Sequence, residues 1–343
     1  MDSVTQIVLG AAVGQASAGR QMGRKAPLWG AIMGTVPDLD VFISYGDAVS
    51  DFTYHRSATH SLIIMLLAAP LLAWLITKWQ ARANRDAQQT LFWPWLRLIF
   101  LCFATHALLD AFTIYGTQLF WPLDNYPVAF GSLFIIDPLY TLPLLGLLLM
   151  SLRHQGSRRA MRYNFAGLWI SSGYIVWSLM AQQNALAVAR KAIAQQQIPS
   201  TGVLVTPAPL NTALWRIVII NEQHYYDGYW SVFDAPETPL RLTRFARHLE
   251  YQESLPDSWY LQRLYWFSKG FYKLTKDQNG ALVVSDLRMG MEPFYAFNFV
   301  FETASSAPPT LTSSPRDSTQ LPKLWQRLWD PSVRLVPPSS AQD

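Results

Sequence analysis

The sequence predicts a polytopic α-helical membrane domain followed by a small soluble α+β domain with an antiparallel sheet. Half of the 343 residues are apolar and only 15% are charged, compared with about 25% charged residues in a typical soluble domain. Four long apolar stretches lie between residues 62 and 181. The following hundred residues are dense in β-branched and aromatic residues and are interrupted by Pro and Gly, which is typical of strands joined by turns.

The four apolar stretches are predicted to cross a bilayer. A hydrocarbon core of about 30 Å needs about 20 helical residues, each rising 1.5 Å. The stretches run from Leu62 to Thr77, Trp93 to Tyr115, Leu133 to Leu152, and Phe165 to Ala181. Several Trp residues lie near their ends, where indole rings favour the headgroup layer.

Two weaker apolar segments precede these spans, from Val4 to Ala18 and from Leu28 to Val36. Gly10, Gly14 and Ala18 recur at four-residue spacing, and such a stripe of small residues allows another helix to approach closely. We therefore expect a hairpin of short helices beside the bundle, within a membrane domain of residues 1–182.

The basic residues predict the orientation of the spans. Three loops that would share one side of the membrane carry Arg20, Arg24 and Lys25; Lys78, Arg82 and Arg85; and Arg153, Arg158, Arg159 and Arg162. The loops of the opposite side carry five Asp and, among Lys and Arg, only Arg56. The positive-inside rule assigns the basic side to the cytoplasm. We expect a multi-pass protein of the bacterial inner membrane whose C-terminal part lies outside, in the periplasm.

The second half of the chain is predicted to contain a connecting helix at residues 183–199 and an outer α+β domain at residues 200–302. Asn279-Gly280 between two strand-like segments is a strong hairpin signal. Residues 303–343 are rich in Ser, Thr and Pro and are expected to be mostly disordered. The outer domain is expected to select a lipid headgroup or to bind a protein partner.

The composition also excludes several classes of function. The net charge of +4 is confined to a few loops, whereas nucleic-acid binding needs a continuous basic surface. Cys102 is the single cysteine, so neither an intramolecular disulfide nor a thiolate zinc cluster can form. Any metal ion must be held by His and carboxylates.

Four short pieces of sequence gather ionisable residues at the predicted outer boundary of the membrane. They are PDLD at 37–40, HRSATHS at 55–61, HALLD at 106–110 and DP at 137–138. Ionisable groups in membrane segments cost at least about 2.5–3.5 kcal/mol at mid-depth, so they are rarely without a role. His106 and Asp110 are four residues apart and share one helix face. Imidazole and carboxylate ligands suit Zn²⁺, Mn²⁺ or Fe²⁺, and the number of candidates allows one or two ions.

The combination of PDLD, HRSATHS and HALLD with Tyr115-Gly116 and Trp121-Pro122 resembles the YdjM family of bacterial inner-membrane proteins, which are described as metal-dependent hydrolases. The HR-x-x-THS stretch is also similar to part of the zinc-dependent phospholipase C group. The resemblance covers roughly residues 1–150 and implies a membrane-embedded metal hydrolase. Matched motif by motif, it implies the metal ligands Asp38, Asp40, His55, His60, His106 and Asp110.

Each of these residues also has a structural interpretation. Asp38 and Asp40 could form an Asx-turn or cap after Pro37. Asp137 could act as a general base or cap the helix that starts at Pro138. Arg56 could clamp a phosphate or only extend to the headgroups.

The expected function is hydrolysis of a lipid-linked ester or phosphodiester by metal-activated water, with Arg56 and Asp137 as catalytic residues. Two alternatives stay open. The first is a metal-stabilised scaffold or regulatory protein without turnover. The second is an ion transporter, although the polar residues cluster on one side of the membrane only.

Overall fold

The structure, a computed structural model, describes residues 1–82, 87–255, 258–302, 307–313 and 320–335, with the backbone alone for residues 87–90 and 254. The chain divides into two compact units. The helical unit comprises Met1–Ile43, His55–Phe130 and Ile135–Trp177. The sheet unit comprises Ser44–Tyr54, Gly131–Phe134 and Ser178–Asp343.

Helices account for most of the first 196 residues. They are α1 (Ser3–Met22), α2 (Lys25–Thr35), α3 (Ala48–Tyr54), α4 (Leu62–Ala81), α5 (Ala87–Ala111), α6 (Pro138–Arg153) and α7 (Arg158–Gln196). Two short 3₁₀-helices, Pro37–Phe42 and Ala58–His60, interrupt the chain between α2 and α4. Both of these short segments carry residues of the candidate site.

Two helices among the described residues are long and apolar enough to cross a membrane, Leu62–Ala81 and, within α5, Leu91–Ala111. The prediction of four long spans is not supported. The stretch from Leu133 becomes helical only at Pro138, because the Asp137 side chain caps α6 there, and the 16-residue helix is shorter than a span. The stretch from Phe165 lies in the 39-residue α7, where Ser and Gly residues dilute its apolar character.

The predicted N-terminal hairpin is present as α1 and α2, and its helices cross at glycines. A Cβ atom placed on Gly30 would lie 2.2 Å from the Gly10 carbonyl oxygen and 2.8 Å from the Gly14 Cα. A Cβ on Gly34 would lie 2.7 Å from the Gln6 carbonyl oxygen. The two backbones are therefore in direct contact, as a small-residue stripe permits. The sequence pattern identified the α1 side of this contact but not the matching pair on α2.

The sheet unit contains ten described strands and two further helices. The strands are β1 (Gly202–Pro207), β2 (Leu214–Ile220), β3 (His224–Ser231), β4 (Leu242–Ala246), β5 (Tyr272–Lys276), β6 (Leu282–Asp286), β7 (Gly290–Met291), β8 (Phe294–Tyr295), β9 (Asn298–Phe301) and β10 (Thr310–Thr312). The helices are α8 (Trp259–Ser268) and α9 (Gln320–Trp329). A third 3₁₀-helix, Leu249–Ser254, follows β4.

Two four-stranded antiparallel sheets form where the sequence predicted one. Their strand orders are β1-β2-β3-β4 and β10-β9-β6-β5. The predicted hairpin is confirmed, since β5 and β6 pair from Lys276↔Leu282 onward and Gly280 adopts a φ of +81°. The β-rich segments that Pro and Gly residues separate in this half of the chain are therefore antiparallel strands.

The described parts of the C-terminal tail are ordered, which differs from the predicted disorder of residues 303–343. Strand β10 pairs with β9, and α9 buries Leu324 and Leu328. The Arg327 guanidinium donates to both carboxylate oxygens of Asp234, at 2.9 and 2.7 Å. Arg327 and Leu328 follow Leu324 by three and four residues, so the three side chains share one face of the helix. Composition alone does not reveal this face. Residues 303–306, 314–319 and 336–343 lie outside the described residues.

Candidate metal centre

Three elements of the helical unit bring four of the predicted ligands together. The 3₁₀-helix that begins at Pro37 carries Asp38, and the 3₁₀-helix Ala58–His60 ends at His60. The last two turns of α5 carry His106 and Asp110 on one face. Since α4 begins two residues after His60 and α5 ends one residue after Asp110, all four side chains are close to the same end of the two candidate spans.

One atom of each side chain points to a common centre. His60 Nε2 lies 3.2 Å from His106 Nε2, 3.4 Å from Asp38 Oδ1 and 3.3 Å from Asp110 Oδ2. His106 Nε2 lies 3.3 Å from Asp38 Oδ1 and 3.7 Å from Asp110 Oδ2. The four atoms all lie within 4.8 Å of one another. We call Asp38, His60, His106 and Asp110 the quartet.

Hydrogen bonds on the far side of each imidazole fix its tautomer. His106 Nδ1 lies 2.7 Å from the Gly34 carbonyl oxygen, which can only accept, so Nδ1 carries the hydrogen and Nε2 presents a lone pair. Thr59 Oγ1 donates to Asp40 Oδ2 at 2.7 Å and therefore accepts from His60 Nδ1 at 3.0 Å. Both Nε2 atoms consequently present lone pairs to the centre, as metal-ligating imidazoles do.

The spacing of these atoms fits a tetrahedral metal ion. With metal–ligand distances of about 2.0–2.2 Å, neighbouring ligand atoms of a tetrahedron lie about 3.3–3.6 Å apart. The five separations above range from 3.2 to 3.7 Å. Two imidazole lone pairs and two carboxylate oxygens repel one another unless a proton or a metal cation lies between them. The arrangement therefore favours a divalent cation at the centre of the quartet.

The electrostatic surroundings keep Asp38 ionised and favour a positive charge on His60. Burial lowers the pKa of His60, but the protonated ring can also donate from Nε2 to Asp110 and Asp38, and these hydrogen bonds raise this pKa above its ordinary value. Burial raises the pKa of Asp38, yet hydrogen bonds to His106 and His60 hold it below the usual range. The side chains of His60, His106 and Asp110 are fully buried, whereas that of Asp38 is 25% exposed. Asp38 thus marks the side of the quartet that solvent reaches.

Two further predicted ligands, Asp40 and His55, lie behind the quartet. His55 Nδ1 is 2.9 Å from Asp40 Oδ1. The other oxygen of Asp40 accepts from the Arg56 backbone at 3.0 Å and from Thr59. Asp40 consequently acts on His60 through the Thr59 hydroxyl, and His55 in turn holds Asp40.

Arg56 neutralises Asp110 and is itself buried. Its Nε lies 3.0 Å from Asp110 Oδ2, its Nη1 donates to Thr113 Oγ1 at 3.2 Å, and its guanidinium carbon lies 5.0 Å from the centre of the Tyr115 ring. The other oxygen of Asp110 accepts from Gln6 Nε2 at 2.9 Å and contacts the Met1 amino group. These contacts hold Asp110 as an ionised ligand in a fixed orientation.

Asp137 makes the contacts of a helix cap, which was the alternative interpretation of its sequence position. Its Oδ1 accepts from the backbone of Leu139 at 3.0 Å and of Tyr140 at 3.3 Å. Both of its oxygens accept from the Tyr174 hydroxyl, at 3.1 and 3.0 Å. These partners engage the carboxylate and connect α6 to α7.

Sequence reasoning assigned no chemistry to Thr59, Gly34 or Gln6. Thr59 precedes His60 directly, but its spacing from Asp40 has no periodicity that would connect the two. Gly34 repeats the spacing of Gly30, which could have identified α2 as the partner of the α1 stripe. Gln6 is a polar residue in an apolar helix, and such residues tend to face a polar partner when buried.

Replacing Thr59 with Val is expected to weaken metal binding by about 10–100-fold, because partners that orient a ligating imidazole contribute about that much to affinity. Valine has the same shape but cannot relay the hydrogen bond from His60 to Asp40. Thr77→Val is the matched control, since the Thr77 hydroxyl is buried and donates to the Ala73 carbonyl of its own helix. Competition with a metal-chelating dye measures both affinities, and an equal affinity in the two variants would contradict the role given to Thr59.

Comparison with protein-family models identifies the family of this chain. The model described as YdjM inner membrane protein matches residues 1–185, which include all four quartet residues and both candidate spans. No curated protein and no solved structure matches the chain.

Proposed function

Because the chain belongs to the YdjM inner membrane protein family, we propose that it is a membrane-bound metal-dependent hydrolase acting at the outer face of the inner membrane. The observation that carries this proposal is the quartet, in which two imidazoles and two carboxylates converge with the separations of a tetrahedral metal site. We further propose Zn²⁺ as the ion and a lipid-linked ester or phosphodiester as the substrate.

The position of the quartet supports a lipid substrate. His60 lies two residues before one apolar helix, and Asp110 is near the end of the other. Lys78 and Arg82 lie at the opposite end of α4, so the positive-inside rule assigns the quartet to the outer leaflet. The neighbouring 3₁₀-helix exposes the apolar side chains of Val41 and Phe42, by 68% and 83%, as expected for a segment in contact with lipid.

The residues at and near the site have separate roles in this proposal. A bound divalent cation polarises an acyl or phosphoryl oxygen and makes water more acidic. Asp38 is the one quartet side chain that solvent reaches, and we propose that the attacking water enters on this side and donates to the Asp38 oxygen that does not face the centre. The Asp137 carboxylate instead caps α6 and accepts a hydrogen bond from the Tyr174 hydroxyl. Arg56 keeps Asp110 charged and in place, so we propose a positioning role for it in preference to a phosphate clamp.

A structural metal site is the second candidate function. Structural zinc sites are usually closed by four protein ligands, whereas catalytic sites keep one position for water. The quartet already supplies four ligands, and three of their side chains are fully buried. In this alternative, the ion connects the two 3₁₀-helices to α5 and no turnover takes place.

Hydrolysis of a panel of phospholipids by the detergent-purified protein, loaded in turn with Zn²⁺, Mn²⁺ or Fe²⁺, tests the proposal. We expect turnover in the wild type, its loss in His60→Ala, and its retention in His154→Ala. The imidazole of the control residue His154 contacts the Met150 carbonyl oxygen and the Tyr163 ring, neither of which belongs to the quartet. A protein that holds its ion firmly but turns over no lipid with any of the three metals would overturn the hydrolase and favour the structural site.

A further inference from the structure

The helical unit contains a second polar feature, far from the quartet. A cavity of about 930 Å³ lies between the end of α1, the turn from α1 to α2, and the turn from α6 to α7. Gly19 of α1 lines this cavity, whereas Gln6 of the same helix contacts Asp110. At 1.5 Å per residue, these two positions are about 20 Å apart along the helix axis. The cavity is therefore separate from the candidate metal centre.

The walls of this cavity are strongly basic. Arg20, Arg24 and Arg158 line it, and all three are exposed. No acidic residue of the described chain lines the cavity, and none forms an ion pair with these arginines. Arg24 Nε donates to Gln155 Oε1 at 3.1 Å. Three guanidinium groups around one cavity repel one another unless an anion is present.

A buried amide at the cavity points independently to a ligand. Gln15 is only 3% exposed, and its Oε1 has no hydrogen-bond partner among the described residues. Its Nε2 reaches only the Met161 sulfur, at 4.0 Å. Buried side-chain amides normally find partners for both atoms. A ligand with a hydrogen-bond donor would supply the partner that Oε1 lacks.

Backbone geometry leaves room for this ligand. A Cβ atom on Gly19 would lie 3.0 Å from the Gln15 amide, so a larger residue there would displace the amide. Helix α7 begins at Arg158, and the N–H groups that start a helix attract anions. Cationic, amide and backbone donors thus surround one space.

We propose that this cavity binds the phosphodiester headgroup of an anionic phospholipid. Arginines bind phosphate oxygens with two parallel hydrogen bonds, and basic pockets between membrane helices suit anionic headgroups. The hydroxyl groups of a glycerol headgroup would donate to Gln15 Oε1. Phosphatidylglycerol has a negatively charged headgroup with hydroxyl donors, so it meets both requirements. The headgroup of phosphatidylcholine has no net charge and no hydrogen-bond donor.

Native mass spectrometry of the full-length protein in detergent, titrated with phosphatidylglycerol or phosphatidylcholine, tests the proposal. We expect retention of phosphatidylglycerol in the wild type and a loss of about tenfold in affinity in the double variant Arg24→Gln/Arg158→Gln, from removal of hydrogen bonds to a charged group. The matched control is Lys25→Gln/Arg159→Gln. It removes the same charge from exposed neighbouring residues that do not line the cavity and should keep its affinity.

Two results would overturn the proposal. Equal losses in the two double variants would show that surface charge alone attracts the lipid, and equal retention of the two lipids would remove the headgroup preference. A separate arm adds inorganic phosphate and records the thermal unfolding midpoint. A rise that depends on Arg24 and Arg158, without any lipid preference, would replace the lipid with free phosphate as the ligand.

Discussion

The His106→Ala variant, purified in detergent, is expected to lose its bound metal ion. The wild type should hold about one divalent ion per chain, since four protein ligands complete a tetrahedral site. Removing His106 leaves a single imidazole, and it also removes the ring that the Gly34 carbonyl holds at 2.7 Å. Elemental analysis by plasma mass spectrometry against protein concentration measures the ratio.

Two other histidine variants separate a ligand from a neighbour. His154→Ala should keep the wild-type ratio, because His154 lies in the turn between α6 and α7. His55→Ala should bind the ion about 10–100-fold more weakly but regain one ion per chain at high metal concentration, since His55 acts through Asp40. An unchanged metal content in His106→Ala would exclude the quartet as a metal site. A ratio of two that falls to one in His55→Ala would instead place a second ion at Asp40.

Replacing Gly30 with Ala is expected to destabilise the helical unit by about 2 kcal/mol. The new Cβ would lie 2.2 Å from the Gly10 carbonyl oxygen and 2.8 Å from the Gly14 Cα. Both are backbone atoms, so no side-chain rotation relieves the overlap and the helices must separate. Overpacking of this kind costs about 1–3 kcal/mol or more, and the better helix propensity of Ala returns only about 1 kcal/mol. Unfolding in detergent with increasing denaturant measures the difference.

Gly146→Ala serves as the control for this substitution. A Cβ on Gly146, in the middle of α6, meets no atom within 4 Å, so only the helix propensity changes. This variant should be as stable as the wild type or slightly more stable. If both variants behaved alike, the contact between α1 and α2 would contribute nothing to stability.

The sequence predicted the division into a helical and a sheet-forming part, because hydrophobicity and β-propensity change abruptly along the chain. It overestimated the number of long spans because the apolar stretch from Leu133 was treated as one helix, although a cap at Asp137 was among the interpretations of the sequence. The cap at Asp137 shortens α6, and this depends on the backbone conformation at one residue. The prediction placed α9 in a mostly disordered tail, because composition does not show that Arg327 pairs with Asp234, which is distant in the sequence.

For the site, all four quartet residues were among the six candidates from the sequence, but nothing in the sequence separated Asp38 from Asp40. His106 and Asp110 were connected by helical periodicity. The separation of Asp38 from Asp40 depends on how a six-residue 3₁₀-helix turns, and the two side chains leave it toward different partners. Such a difference arises from tertiary packing, so a motif that contains both residues cannot distinguish them.

The hydrogen bond from His106 to Gly34 shows how the protein protects this ring from mutation. A side-chain partner disappears with a single codon change, but a main-chain carbonyl survives every substitution at its own position. Only added bulk at the glycine crossing could shift the Gly34 carbonyl away from the imidazole. Mutations that abolish the metal site should therefore include substitutions by larger residues on the N-terminal hairpin, as well as substitutions of the ligands themselves.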